Sequence, residues 1–596
     1  MSSVCNEKHR YASASAVKPS PSAARIVLTS IVLAIGLLAS AATTEEDSDL
    51  GKELETLAEE YFEGYFAFRP SWATGTGIHD FDERLEDWSP AAVAQEVDRL
   101  HTFEKRLEGI DVTKLGFDAR LDHAILSSHI QAELFEWLEM RSHERDPMEY
   151  NSRLSWSIED LLGKNFAPLE IRLQKIIRRE SQFGRFLASA RKNLKNPPKI
   201  YTKKAIELVA GTIKFLRETL PEAVKTVDDE ELLVRFRKQN DEAIQEVQAF
   251  RKFLEEELLP KSNGVFAIGP ERFSKKLLLE EMIDLPLAEL KSIGLKALRD
   301  TQKRFVATAK EIDPEATPRE VFASLKEDHP LADQLVSDTA GSLEEMRQFL
   351  IDKKIVTLPS DERCKVVPMP PFMWGFAAMN SPGPLEKVAT DAYYYVDTVD
   401  DDWSEEKKKE HLRDFNRPVM RIVSIHEAYP GHFIHGLYLR NVPSLTRKLL
   451  WSYTYGEGWA HYCEQMMIEE GYGGDNPRLR LAQLSDALVR LCRYHSALGL
   501  HTEGMTVEQA VKFFEEEGFQ DSYTARREAE RGTFDPLYLC YTLGKLKILE
   551  LRGEYEEKMG EEYSLQKFHD RFLSVGSVPI PMARRVLLGL GGAPVR

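Results

Sequence analysis

From Leu50 to about Leu350 apolar residues recur at intervals of three and four, with charged residues between them and few turn formers. That period predicts stacked amphipathic helices, and the stretch Glu230 to Leu259 shows it at its longest. Pro260 ends that pattern, and Asn263-Gly264 followed by Gly269-Pro270 marks the best candidate boundary in the chain. It divides an N-terminal helical region, 42–265, from a second region, 266–596, which holds the candidate chemistry. The leucine stripes read as core faces rather than zippers for a partner, and no internal repeat is evident. Between Val356 and Pro384 the pattern changes, because Val366-Val367-Pro368-Met369-Pro370-Pro371 and Ser381-Pro382-Gly383-Pro384 do not suit a helix interior. Short strands are expected around Cys364 to Val367, Trp374 to Ala378 and Ala392 to Asp397, after which helices resume from Lys407. The expected fold is mainly α, a large multi-helix body with a small β-sheet beside the active-site cleft. Such a sheet offers an edge to an extended peptide; the alternative is a plain proline-rich crossover.

The amino terminus departs from this pattern. An apolar run from Ile26 to Ala39 follows Lys18 and Arg25 and precedes Ala39-Ser40-Ala41, which matches a secretory signal cleaved near Ala41. Residues 1–41 are therefore expected to direct export to the periplasm or the extracellular space, leaving no stable membrane insertion. The alternative is a retained anchor, although the run is short for a span and meets Glu45, Glu46 and Asp47 at once. No Cys follows the run, so a lipid-modified terminus is not expected. Over 596 residues, 79 Lys and Arg stand against 97 Asp and Glu, a net charge of −18 that disfavours nucleic acid or an anionic membrane as partner. Beyond Cys5, the scattered Cys364, Cys463, Cys492 and Cys540 resemble core thiols, with no CxxC pair to hold a metal.

The most informative residues are His426-Glu427-Ala428-Tyr429-Pro430-Gly431-His432. The segment Pro418 to Tyr429 is apolar nearly all round its helical projection, so His426 and Glu427 are expected in a dry place. A buried carboxylate there needs a cation or a base beside it. In the standard zinc pattern H-E-x-x-H the ligands stand at i and i+4 with the Glu as general base. Here i+4 is Pro430, and a regular helix would turn His432 about 240° from His426. Pro430 and Gly431 can repair this by letting two residues bulge out, which returns His432 to the place of an i+4 ligand. His432 with His435, at i and i+3, is a second possible pair, and a hydrogen-bonded core histidine is the plain alternative.

A catalytic zinc wants a third protein ligand and an open position. The next helix, expected between a Ser444 cap and Gly471, carries Glu457, His461 and Glu464 on one stripe, with Trp451, Tyr455, Trp459, Tyr462 and Met466 making its other side apolar. Three ionisable groups in a buried stripe suggest a ligand with its supports: Glu457 as third ligand, Glu464 or His461 orienting a neighbour. Further on, Asp535-Pro536 reads as a helix start, after which Tyr538, Tyr541 and Lys545 share a face. Tyr541 is the candidate donor to an oxyanion, Tyr538 a neighbour on the substrate side, and Arg493 and Arg531 candidate clamps for a peptide carboxylate. Tyr393-Tyr394-Tyr395 reads as strand packing.

These segments, with Glu457-Gly458-Trp459-Ala460-His461-Tyr462-Cys463-Glu464 and Tyr541-Thr542-Leu543-Gly544-Lys545, resemble the bacterial domain-of-unknown-function family 885 (DUF885). The resemblance runs from Arg69-Pro70-Ser71-Trp72-Ala73-Thr74-Gly75-Thr76-Gly77-Ile78-His79 to Phe568-His569-Asp570. It implies a gluzincin-like, mainly helical zinc peptidase with His426, His432 and Glu457 as ligands of one Zn²⁺ and Glu427 as general base. Many members carry His and Gln where this chain has Phe433 and His435, which leaves the part of His435 open. The expected activity is metal-dependent hydrolysis of a peptide or small amide. Two rivals remain: an exported protein that binds peptides without cleaving them, and a zinc amidase with a non-peptide substrate.

Overall fold

The computed structural model describes residues 49–373, 375–389, 391–400 and 402–591. The export signal expected over 1–41, and Trp374 of the expected second strand, lie outside them. The first half is helical as its periodicity predicts, and side-chain caps set many of the starts. Ser89 accepts from the Ala92 N–H before Pro90–Glu108, Asp229 from the Leu232 N–H before Glu230–Phe253, and Thr317 with Glu320 forms a reciprocal box before Pro318–Leu325. Pro260 lies in a short 3-10 turn, Leu259–Lys261, that closes the longest stretch. The apolar stripes meet in one core whose side chains run from Leu54 to Leu587, drawing on both sides of residue 265. A second cluster joins Phe273, Leu277 and Leu290 to Tyr494, Leu537 and Leu543. Four cysteines are buried free thiols: Cys364, Cys463, Cys492 and Cys540. Among the described residues no helix is long and apolar enough to cross a membrane.

The sheet has three strands, β1 (Cys364–Pro368), β2 (Ala377–Asn380) and β3 (Ala392–Val396), in the order β1-β3-β2. β1 runs parallel to β3 and β2 antiparallel to it, with Cys364 opposite Ala392 and Met379 opposite Tyr394. The second strand thus begins later than expected and reaches Asn380. β2 is an edge, and it packs against α1 (Arg417–Glu427), the helix that carries His426.

Five more helices complete the surroundings of that histidine: α2 (His432–Leu439), α3 (Tyr453–Glu469), α4 (Pro477–Thr502), α5 (Ser522–Phe534) and α6 (Cys540–Met559). Helices α3 and α6 cross at glycines. A Cβ on Gly458 would lie 2.6 Å from Gly544 Cα, and one on Gly544 would lie 2.0 Å from the Thr454 carbonyl oxygen. Only hydrogen on both sides permits so close a crossing, which is why each helix carries Gly there.

Two expected helix starts fall elsewhere. Ser444 caps only the short helix Leu445–Leu449, after which Leu450 is extended; α3 begins afresh behind Ser452, whose Oγ accepts from the Tyr455 N–H. A buried acid from far upstream explains the restart. Glu281 accepts from the N–H groups of Tyr453 and Thr454 at 2.7 and 2.9 Å, supplying partners that a new helix end requires. Nor do Asp535 and Pro536 begin a helix. Asp535 closes α5 and is held by Arg531 and by the Tyr453 hydroxyl, so α6 starts only at Cys540.

Candidate metal centre

Helix α1 is buried on most sides, with Met420, Ile422, Ser424, Ile425, His426 and Glu427 inside. It stops at Glu427. The chain then leaves the helical path for Ala428 to Gly431 and resumes as α2 at His432. The Gly431 N–H reaches back to the Ile425 carbonyl at 3.0 Å, six residues earlier rather than the four of a regular turn. Two residues are therefore looped out, and the Trp459 indole N–H closes the loop by donating to the Pro430 carbonyl at 2.9 Å. The tightness falls on Gly431, where a Cβ would lie 1.7 Å from the His426 carbonyl oxygen.

With the loop removed from the count, His432 faces His426. Their ring centres are 4.8 Å apart and the planes nearly perpendicular, at 89°. Glu457 of α3 meets both, its Oε2 lying 3.3 Å from His426 Nε2 and 3.4 Å from His432 Nε2. All three ligand atoms fall within 4.8 Å of one another, a group of the size and kind that holds a metal ion. Glu457 Oε2 is fully buried yet has no hydrogen-bond donor in proper geometry. Burial would raise the Glu457 carboxyl, but the His432 and His426 imidazoles hold it well below the usual range. Burial likewise pulls His426 down, yet the neighbouring Glu457 and Glu464 carboxylates overcome this and lift it to about 9. Two imidazole nitrogens with one carboxylate oxygen are the donors that zinc accepts.

Behind the triad stands a buried ionic network. His426 Nδ1 donates to Glu464 Oε1 at 2.7 Å, a bond that leaves Nε2 free to present its lone pair. Glu464 in turn meets His461 Nδ1 at 3.0 Å and Arg490 of α4 at 3.2 Å. Arg490 also pairs with Asp486, one turn before it on α4. Burial is the main pull on Lys545 of α6, which falls to about 8, and on His461, which falls well below the imidazole range. Of the two residues expected to support the candidate ligands, Glu464 touches His426 and His461 touches Glu464.

Glu427, next to the first histidine, is buried, and its charge bears on the Tyr394 phenol, which lies 3.2 Å from Ser424 Oγ. Tyr541 stacks near His426 with ring centres 6.1 Å apart, and its hydroxyl accepts from Arg531 at 3.2 Å. Three guanidinium groups, of Arg490, Arg493 and Arg531, surround its ring at 5.0–5.6 Å. The two arginines expected to clamp a carboxylate already have acids: Arg493 binds Glu528 through two bonds, and Arg531 binds Asp535. Tyr538 is wholly buried ahead of α6, not on its face. His435 stays outside the triad, 5.2 Å from the Tyr455 ring, and burial depresses it to about 3. Trp451, expected on the apolar side of α3, precedes that helix and stands 53% exposed.

The sequence profile of a family described as "Bacterial protein of unknown function (DUF885)" matches residues 70–587. The chain belongs to the DUF885 family. Two solved structures are similar to it across nearly their whole length. A "putative lipoprotein of unknown function" from Shewanella oneidensis shares 25% identity at a TM-score of 0.73, over 90% of this chain and 99% of its own. A "putative lipoprotein" from Colwellia psychrerythraea shares 19% identity at a TM-score of 0.77, over 91% of this chain and 99% of its own. Among curated proteins none matches.

Within the DUF885 chain, the sequence pattern assigned no role to Arg490, Asp486 and Tyr453, and gave Asp535 only that of a helix cap. A signal for two of them was present: Asp486, Arg490 and Arg493 stand at i, i+4 and i+7 of α4, a charged stripe on a helix buried nearly throughout. The same reasoning that singled out Glu457, His461 and Glu464 applies to it. Tyr453 and Asp535 meet only through folding, and nothing in the local sequence marks either as the other's partner.

Proposed function

We propose that this protein is an exported zinc-dependent hydrolase that cleaves peptide or related amide bonds. The observation that carries this reading is the convergence of His426, His432 and Glu457 ligand atoms within 4.8 Å, with Glu427 beside the first histidine. A zinc ion held by these three residues would polarise the scissile carbonyl and make water acidic enough to attack near neutral pH. The protein's own groups supply the rest. Glu427 accepts the proton of the attacking water and returns it to the leaving nitrogen. Glu464 holds the proton on His426 Nδ1, fixing that ring and its tautomer. Tyr541 turns its hydroxyl to the developing oxyanion, with the Arg531 charge behind it favouring donation of that proton. The edge of β2, against α1, is where an extended substrate backbone would add a strand.

The likeness to gluzincins, a helical His-Glu motif with a Glu ligand one helix later, supports a peptide bond over other amides. Export rests on the apolar run from Ile26 to Ala39 and agrees with the lipoprotein descriptions of both similar structures, although here no Cys follows that run. The test is Glu427→Gln: metal content by elemental analysis should remain one ion per chain, while cleavage of a mixed peptide pool should fall by at least about a hundredfold. Full activity in that variant would end the hydrolytic reading. Stoichiometric zinc in a wild-type protein that cuts nothing would favour a peptide-binding role.

A further inference from the structure

Trp451 is exposed over 53% of its surface, whereas Trp88, Trp137 and Trp459 are buried and Trp72, Trp156 and Trp403 half-buried. A large indole left in solvent forgoes the burial that ordinarily places tryptophan. Its position is nonetheless fixed. The Leu450 N–H donates to the Thr446 carbonyl at 3.1 Å, and the Ser452 N–H to the Ser577 carbonyl at 3.2 Å. Glu281 then holds the Ser452 hydroxyl at 2.6 Å and the next two N–H groups. The indole itself lies over Gly456, where a Cβ would come within 2.1 Å of Cζ2 and 2.3 Å of Cη2. Any larger residue at 456 would displace it. Gly456 directly precedes Glu457, and the indole centre is 5.5 Å from His435 and 6.4 Å from His432. An aromatic plate is thus built at the rim of the metal centre with much of its surface open.

We propose that Trp451 is a specificity platform that selects an aromatic side chain on the substrate residue next to the bond cleaved. This rests on the hydrolase reading above. With the indole centre 6.4 Å from that of His432, a substrate residue whose carbonyl sits at the triad can lay its ring on Trp451. The charges nearby decide between an aromatic and a cationic side chain, either of which an indole can accept. Of the acids on the adjoining segments, Glu281 is covered by Ser452, Tyr453 and Thr454, and Glu457 faces two imidazoles. Neither is free to pair with a Lys or Arg of the substrate, so a neutral ring gains stacking and burial without leaving a charge uncompensated.

The test uses the full-length chain and three capped peptides, acetyl-Ala-Ala-Phe-Ala-Ala-amide and its relatives with Ala or Lys in place of Phe. Cleavage by the wild-type protein and W451A is followed by mass spectrometry, and binding to zinc-loaded E427Q and E427Q/W451A by calorimetry. The Phe peptide should exceed the Ala peptide about tenfold in kcat/KM and in affinity, and W451A should erase that ratio while zinc content and Tm stay unchanged. W451F should keep most of it, and Tyr523→Ala, which removes a 65% exposed aromatic on α5, should keep all of it. Equal Phe-to-Ala ratios with and without Trp451, in binding as in cleavage, overturn the platform, as does a stronger preference for Lys than for Phe. A binding preference that depends on Trp451 in a protein that cuts no peptide would uphold the platform and refute the hydrolase reading, so the two failures are separable.

Discussion

Gly431 is the position where one added carbon tests the geometry of the whole centre. In Gly431→Ala the new Cβ would lie 1.7 Å from the His426 carbonyl oxygen, 2.4 Å from its carbon and 2.6 Å from the Ile425 oxygen. These are backbone atoms of a buried helix and cannot swing aside as a side-chain end could. Relieving the first contact requires a displacement of more than about 1 Å, which also breaks the Gly431 N–H bond to Ile425. A metal site tolerates only about 0.2 Å per bond, so a shift of that size would take His432 out of reach of an ion shared with His426 and Glu457. Overpacking costs about 1–3 kcal/mol and the broken bond about 1 kcal/mol more, for a total near 2–4 kcal/mol. In a chain of this size that lowers Tm by several degrees, about 2–4 °C per kcal/mol or somewhat less. The assay has two arms: zinc affinity by competition with a chromogenic chelator, and thermal unfolding of the metal-free protein. Affinity is expected to fall at least about a hundredfold, beyond the loss for an outer support. A Gly431→Ala protein with wild-type zinc affinity and an unmoved apo Tm would show that the loop is not what aligns the two histidines.

Two further predictions concern the surroundings. Glu464→Gln removes the negative charge that holds the proton on His426 and leaves Asp486 as the acidic partner of Arg490; zinc affinity should fall about 10–100-fold by the same competition assay, and an unchanged value would deny Glu464 its part. His569 is buried between the Ile355 carbonyl, 2.7 Å from Nδ1, and the Tyr462 hydroxyl, 2.8 Å from Nε2, and burial lowers it to about 3. Between that value and about 6.5 the unfolded chain takes up a proton that the folded site refuses, so the stability from this residue is complete above pH 6.5 and lost on acidification, by up to about 1.4 kcal/mol per pH unit. Chemical denaturation from pH 7 to 5 should show that decline in the wild type and a shallower one in His569→Gln; parallel curves would refute the assignment.

Much was legible along the chain. The recurrence of apolar residues over Leu50 to Leu350 is a local property of helices, and the proline clusters at 368–384 forbid helix by their own covalent geometry, so mainly α with a small sheet follows without tertiary knowledge. The stripe of Glu457, His461 and Glu464 was equally visible, because residues four apart share a helix face wherever the helix lies. Helix boundaries at 444–452 and 535–540 were not, since their ends are completed by Glu281 and Arg531, partners that local sequence does not identify. The neighbours of Arg493 and Arg531, and the exposure of Trp451, belong to the same class: charge pairing and burial are properties of packed surfaces. Sequence alone determined which residue types could meet at a cation and that Pro430-Gly431 permits the required loop. Only the tertiary structure decided that Glu457, from another helix, closes on both imidazoles at 3.3 and 3.4 Å, because convergence in space depends on the packing of α3 against α1 and α2 and on the tight turn at Gly431, contacts between segments that local sequence does not bring together.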